Sequence, residues 1–258
     1  MKFSVLGSGS KGNCTLVESG STRLLIDNGF SGKEIIGRLT RLGLVPEMLT
    51  ALVITHEHDD HIKGVGVLAR RLNLPVYANG ATHRAAAHRI GPLPVHREFG
   101  TGEPFVIGDL HIHPFSVSHD TADPVGFVVG DGTSRLGYCT DTGKITQLIK
   151  HHLQQCQALI LEANHDVQML QEGPYPLALK QRVLSSRGHL ANGDSVDLAA
   201  LLAEHHLQLL VLAHLSAINN HPDLVQEEVR RRLRPKHSSL QVLLAGQLQT
   251  CPLLEITS

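Results

Sequence analysis

Short apolar runs recur along the chain, and polar residues gather where each run stops. Residues 3–6, 15–17, 23–26, 51–54, 75–78, 110–117, 125–129, 136–139, 158–161, 209–212 and 240–245 read as strands. Between them the apolar spacing turns helical. Ser31 is placed to cap a helix with Ile35, Ile36 and Leu39 on one face, ended by Gly43. Ile62, Val65, Leu68, Ala69 and Leu72 predict one helix, and residues 80–90 a second. Ile145, Leu148, Ile149 and Leu153 mark another apolar face, followed by a helix over 176–186. Asp194 or Ser195 would cap a helix running through Leu202, and a further helix follows Pro222. Strands alternating with helices predict an α/β fold. No linker, low-complexity run or charge block divides the chain, so one domain over 1–258 is expected.

Composition narrows the function classes. Apolar residues make up 41% of the chain and charged residues 18%, which is a globular balance. Aromatics are only 3% and Trp is absent, which weakens any case for a platform of stacked rings. A net charge of −1 gives no global field for nucleic acid, so contacts to phosphates would be local. Arg70 and Arg71, the stretch from Arg84 to Arg97, and the stretch from Arg230 to Arg234 are the candidate basic faces. Cys14, Cys139, Cys156 and Cys251 are scattered, which argues against a disulfide framework or a zinc finger. Met1 and Lys2 lead directly into an apolar strand, and no apolar run approaches the ~18 residues of a membrane span. A cytoplasmic protein without a membrane partner is expected, its oligomeric state open.

The chemistry concentrates in Thr55-His56-Glu57-His58-Asp59-Asp60-His61, between an apolar strand and a helix. Unpaired, such a cluster repels itself, whereas neutral imidazole and carboxylate are the ligands of zinc and manganese. Other ligand-type residues also follow the last apolar residue of a strand: His119, Asp141, Glu162 and His214. Strand ends on one side of an α/β sheet are where sites assemble. His111 and His113 lie within a strand and read as core or surface histidines. The loop over residues 7–12 lacks the Gly-Lys-Ser/Thr of a Walker loop. It fits a tight hairpin, or bare N–H groups and hydroxyls open to a phosphate.

These motifs together resemble the metallo-β-lactamase fold. Asp27, His56-x-His58-x-Asp60-His61, His119, Asp141 and His214 stand in the order of that family's motifs. The resemblance implies a four-layer αββα sandwich of two mixed sheets with outer helices. It implies that His56, His58 and His119 hold one metal, and that Asp60, His61 and His214 hold a second, with Asp141 bridging. Asp27 would orient the loop through hydrogen bonds. Two divalent ions follow, zinc or manganese, with iron also compatible.

Glu162, His189 and His214-x-Ser216 resemble the tRNase Z arrangement, in which a Glu-supported His protonates the leaving oxygen. More closely, four stretches resemble the bacterial YycJ (WalJ) type. They are Gly7-Ser8-Gly9-Ser10-x-Gly12-Asn13-Cys14, Glu162-Ala163-Asn164-His165, Gly188-His189-Leu190 and His214-Leu215-Ser216-x-x-Asn219-Asn220-x-Pro222. Lys11 and Ala191 depart from that pattern, standing where small or hydroxyl residues are expected. The resemblance implies a 5′-to-3′ DNA exonuclease with Asp60, Glu162 and His189 as catalytic residues. Ser8, Ser10, Asn13, Ser216, Asn219 and Asn220 are the candidate phosphate contacts. Open alternatives are an RNA-processing nuclease, a hydrolase of small phosphodiesters or thioesters, and a metal-dependent binder without turnover. A lactamase and a flavodiiron oxidoreductase are disfavoured.

Overall fold

Each expected strand forms because each apolar run finds cover on both faces. The computed structural model describes residues 1–256. The first sheet takes β1 (Lys2–Gly7), β2 (Cys14–Ser19), β3 (Thr22–Ile26), β4 (Ala51–Val53), β5 (Pro75–Asn79) and β6 (Val95–Phe99), side by side in chain order. The second takes β7 (Phe105–Ile107), β8 (Leu110–Ser116), β9 (Val125–Gly130), β10 (Arg135–Cys139), β11 (Ala158–Glu162), β12 (Leu209–Ala213) and β13 (Gln241–Leu244). The last strand, β14 (Leu254–Glu255), returns to pair antiparallel with β1. Each sheet is mixed: antiparallel in its first part, then parallel from β3 to β6 and from β10 to β13. Strands β6, β7 and β14 were not expected. In β6 the reason is plain, since His96, Arg97 and Glu98 are all exposed on a sheet edge and show no alternation.

Three cores make the four layers. Between the sheets lie Leu24 and Ile26 of β3 with Phe127 of β9 and Ile160 of β11. Leu25 of β3 points the other way, under the helices of the first sheet. Leu159 and Leu161 of β11 do the same under those of the second. The period-two geometry of a strand thus feeds two cores from one run. The αββα sandwich of two mixed sheets is the expected architecture.

The first outer layer carries α1 (Gly32–Arg41), α2 (Asp59–Ile62), α3 (Val65–Leu72) and α4 (Gly80–Ile90). Ser31 caps α1 as expected, with Glu34 returning the bond in a capping box. The single helix expected after the His/Asp loop is two, α2 and α3, divided at Lys63 and Gly64. A Cβ on Gly64 would stand 1.8 Å from the Phe30 carbonyl oxygen. The backbone after β3 therefore presses into the joint, and Gly64 N–H donates to Asn28 O at 2.9 Å.

The second outer layer carries α5 (Gln147–Leu153), α6 (Val167–Glu172), α7 (Leu177–Leu184), α8 (Asn192–Ala203) and α9 (Pro222–Glu228). Leu148 lies on the exposed side of α5, contrary to expectation. Neither Asp194 nor Ser195 caps α8, which starts earlier, after Ala191. There the His165 carbonyl, on a neighbouring loop, takes the Asn192 N–H. The arginine stretch after α9 is largely tied down. Arg231 pairs with Glu228, Arg232 with Asp197 and Glu228, and Arg234 donates to the carbonyls of Ser238 and Leu240. Arg70 likewise donates to the carbonyls of Ile90 and Pro92. Among the described residues no helix is long and apolar enough to cross a membrane.

Candidate metal centre and active site

The site stands on strand ends that turn sharply. Asp27 follows β3, Asp141 follows β10 by two residues, and His214 follows β12. Their φ angles are 58°, 56° and 56°, the left-handed region that a side chain with Cβ rarely adopts. Such strain is held only where the surroundings over-determine it, and it clusters at functional sites.

Asp27 is fully buried and acts as expected, as the anchor of the His/Asp loop. Its carboxylate accepts from Thr55 N at 2.8 Å, Thr55 Oγ1 at 2.8 Å and His61 Nδ1 at 2.7 Å. The loop then delivers His56 and His58, and the first turn of α2 delivers Asp60 and His61. His119, beyond β8, leans on the Gly188 carbonyl through Nδ1 at 3.0 Å.

The seven expected ligands converge. Ligand atoms of His56, His58 and His119 lie within 4.8 Å of one another, as do those of Asp60, His61 and His214. Asp141 sits between the two sets, 3.3 Å from His61 Nε2, 3.5 Å from His214 Nδ1 and 3.7 Å from His119 Nε2. His111 and His113 stay outside the site, and the His113 ring meets His152 at 4.6 Å between centroids.

The donor set fits divalent metal. His56 Nε2 is buried without a hydrogen-bond partner, a costly state for a nitrogen that meets nothing else. Burial and then the neighbouring imidazole of His61 push the His56 pKa well down, leaving it a neutral ligand. On the other side, burial opposes the charge on His61, but Asp141, Asp60 and Asp27 outweigh it and push its pKa well up. Burial likewise opposes His214, but Asp141, Asp60 and Glu162 bring its pKa up to about 10. Buried carboxylates therefore demand positive charge at this point, and without metal the imidazoles supply it as protons.

Glu162 is fully buried at the end of β11. Its Oε1 accepts from His189 Nδ1 at 2.7 Å and from His214 Nδ1 at 2.8 Å. Its Oε2 accepts from Leu190 N at 3.0 Å and Thr142 N at 3.3 Å. The expected Glu162–His189 pair forms, and the same carboxylate also holds His214, a candidate ligand. Burial opposes the charge on His189, but Glu162 and Asp141 raise its pKa.

A cavity of about 400 Å³ opens over His58, Asp60, Asp141, His189 and His214. Of the candidate phosphate contacts, Ser10, Ser216 and Asn219 line it. Ser8, Asn13 and Asn220 do not: they are struts of the wall. Ser8 Oγ donates to Asn13 Oδ1 and accepts from His214 N, both at 2.8 Å. Asn13 Nδ2 reaches Asp60 Oδ2 at 3.1 Å and so orients a ligand. Asn220 Nδ2 donates to the Ala163 and Asn164 carbonyls. Sequence reasoning missed the facing wall, which is Tyr175 together with Leu179, Arg182 and Val183 of α7. Arg89 of α4, which lies in the basic stretch expected from Arg84 to Arg97, completes it. Arg182 pairs with Asp120 and Arg89 with Asp59.

Residues 22–215 match the family described as Beta-lactamase superfamily domain. The exodeoxyribonuclease YycJ of Bacillus anthracis is 39% identical over 238 residues, covering 92% of this chain and 90% of that protein. The exodeoxyribonuclease WalJ of Streptococcus pneumoniae is 37% identical over 227 residues, covering 86% and 84% respectively. Among solved structures, the metallo-β-lactamase fold protein YhfI of Bacillus subtilis superposes with a TM-score of 0.74 at 21% identity. That match covers 96% of this chain and 98% of YhfI. The short form of human tRNase Z superposes at 0.68 and 17% identity over the full length of both chains, a likeness of fold. With its two mixed sheets and a His/Asp centre suited to divalent metal at their shared edge, the chain belongs to the beta-lactamase superfamily.

Proposed function

We propose that the protein is a metal-dependent exonuclease that degrades DNA in the 5′-to-3′ direction. The observation that carries the reading is the Glu162–His189 pair, 2.7 Å apart on the wall of the cavity that holds the ligand cluster. The identity of 37–39% with proteins named exodeoxyribonucleases supports DNA over the other substrates of this fold. RNA processing has a likeness of fold alone behind it. The core shared between the two sheets supports residues 1–258 acting as one domain.

His56, His58 and His119 would hold one divalent ion. Asp60, His61 and His214 would hold another, with Asp141 between them. When bound, such ions supply Lewis acidity toward a phosphodiester and lower the pKa of water. Zinc, manganese and iron all suit these ligands.

The protein's own groups do the rest. Glu162 fixes His189 through Nδ1, so Nε2 is the atom left to give a proton to the departing oxygen. The raised pKa of His189 keeps that proton in place near neutral pH. Asp27 and Asn13 hold His61 and Asp60 in position. Arg89 and Arg182, which pair with Asp59 and Asp120 on the rim, are the cations that would turn to the phosphates of the strand.

A substrate panel tests the reading. Protein loaded with manganese or zinc is incubated with 5′-phosphorylated duplex DNA, single-stranded DNA, precursor tRNA and bis-p-nitrophenyl phosphate. Progressive loss of nucleotides from the DNA 5′ end is expected. Turnover of the small diester alone, or trimming of the tRNA alone, would sink the proposal.

A further inference from the structure

A second cavity, of about 590 Å³, lies beside the catalytic one. Ser10 and Ser216 line both, so the two cavities meet across these residues. Their chemistry differs. The catalytic cavity is walled by imidazoles, carboxylates and arginines, while the second is floored by Leu215, Ala217, Pro222, Leu244 and Ala245. That volume falls in the ~300–1,000 Å³ range of small-ligand sites, where an apolar floor meets a few polar groups.

The polar lining of the second cavity mixes hydroxyls, amides, the His221 imidazole and the Lys11 ammonium. Gln226 and Gln249 line it, and among the described residues neither side chain makes a hydrogen bond. Lys11 stands exposed at its lip with no ion pair among the described residues. The wall is braced. Gln247 accepts the Lys11 N–H through Oε1 and donates to the Gly12 carbonyl through Nε2, each at 2.8 Å. Arg38 donates to the Gln247 carbonyl at 2.9 Å. On that braced segment Leu248 is 81% exposed at the cavity's edge and extends the apolar floor.

An apolar floor rimmed by amides, hydroxyls, the His221 imidazole and the Lys11 ammonium is the complement of a nucleoside with a phosphate attached. We propose that this cavity is a nucleoside subsite. It takes the base and sugar of the nucleotide next to the scissile phosphate, and Lys11 meets that nucleotide's outer phosphate. The proposal rests on the nuclease reading above, because the strand crosses from one cavity to the other over Ser10 and Ser216. Apolar side chains and amides receive the base here in place of aromatic rings, consistent with the absence of Trp.

Photo-crosslinking tests it directly. Oligodeoxynucleotides with a 5′-phosphate, phosphorothioate links and one diazirine-bearing nucleobase, whose carbene inserts into any side chain, at successive positions are irradiated with the manganese-loaded full chain. The crosslinked peptides are then identified by mass spectrometry. One or two adjacent positions should crosslink within residues 215–226 or 244–249. Crosslinks confined to residues 80–97 or 167–187, or none, would overturn the subsite.

Two variants separate its failure from that of the nuclease reading. Ala217→Glu puts a carboxylate into the cavity from an exposed position and should raise KM for DNA about ten-fold, by repelling the phosphate and excluding the base. It should leave bis-p-nitrophenyl phosphate turnover unchanged. Lys11→Gln should reduce the salt dependence of DNA binding by about one phosphate contact. If the wild type degrades DNA and both variants match it, the subsite is wrong and the nuclease reading stands. If crosslinks fall in the cavity and no DNA is degraded, the subsite stands and the exonuclease reading falls.

Discussion

The two proposed metal positions are built from the same ligand types but held in different ways. In the first, His56 Nδ1 meets the Thr55 hydroxyl at 2.9 Å and His119 Nδ1 meets the Gly188 carbonyl at 3.0 Å. Both partners are neutral. In the second, His61 Nδ1 meets Asp27 at 2.7 Å and His214 Nδ1 meets Glu162 at 2.8 Å. Both partners are buried carboxylates. The protonation of the metal-free chain follows the same division. Burial pushes His56 and His58 down, while the carboxylates carry His61 and His214 up against the same burial. A carboxylate behind an imidazole raises the basicity of the nitrogen that faces the metal. The second position is therefore expected to hold its ion the more tightly once protons are displaced.

The most damaging test removes what the two positions share. Asp141→Ala should abolish DNA turnover and lower the metal content, measured by elemental analysis, because one carboxylate faces both ligand sets. Two metals and wild-type turnover in that variant would break the comparison outright. Glu162→Gln comes next. It should weaken one metal by about 10–100-fold, and free the proton donor His189 as well, whose loss is worth ~10²–10⁴ in rate. DNA turnover should feel both losses. Bis-p-nitrophenyl phosphate, whose leaving group departs without a proton, should feel only the first. Equal losses on both substrates would remove His189 from the reaction. Thr55→Val is the mildest. It should loosen the first metal, whose His56 loses its hydroxyl partner, lower folding stability by about 1–3 kcal/mol through the bond lost to buried Asp27, and shift the thermal midpoint accordingly.

The same contrast explains what the sequence made legible. The His/Asp loop was readable because His56, His58, Asp60 and His61 are contiguous and follow a buried strand. Asp27 and Glu162 were readable because each ends an apolar run. The double use of Glu162 was not, because nothing local to residue 162 says that two loops, at His189 and at His214, meet over one oxygen. The division of α2 from α3 was hidden for a similar reason. Gly64 reads as one more residue of a helical pattern until the Phe30 carbonyl is seen against it. Edge strand β6 lacks alternation because water lies over its middle residues. Tyr175, Leu179 and Arg182 carry no motif, and only the tertiary placement of α7 brings them to the cavity. Ser8, Asn13 and Asn220 share the composition of phosphate contacts, but their bonds are spent inside the wall.

The left-handed turns at Asp141 and His214 bear on divergence among relatives. Each residue stores strain, of order ~1–3 kcal/mol, that a glycine would not. The proposed metal positions require the carboxylate and the imidazole at these two turns. Replacement by glycine would relax the backbone while erasing two candidate ligands. A relative with glycine at both positions should then be a sturdier protein that has ceased to be an enzyme, and its identity elsewhere in the chain would give no sign of the change.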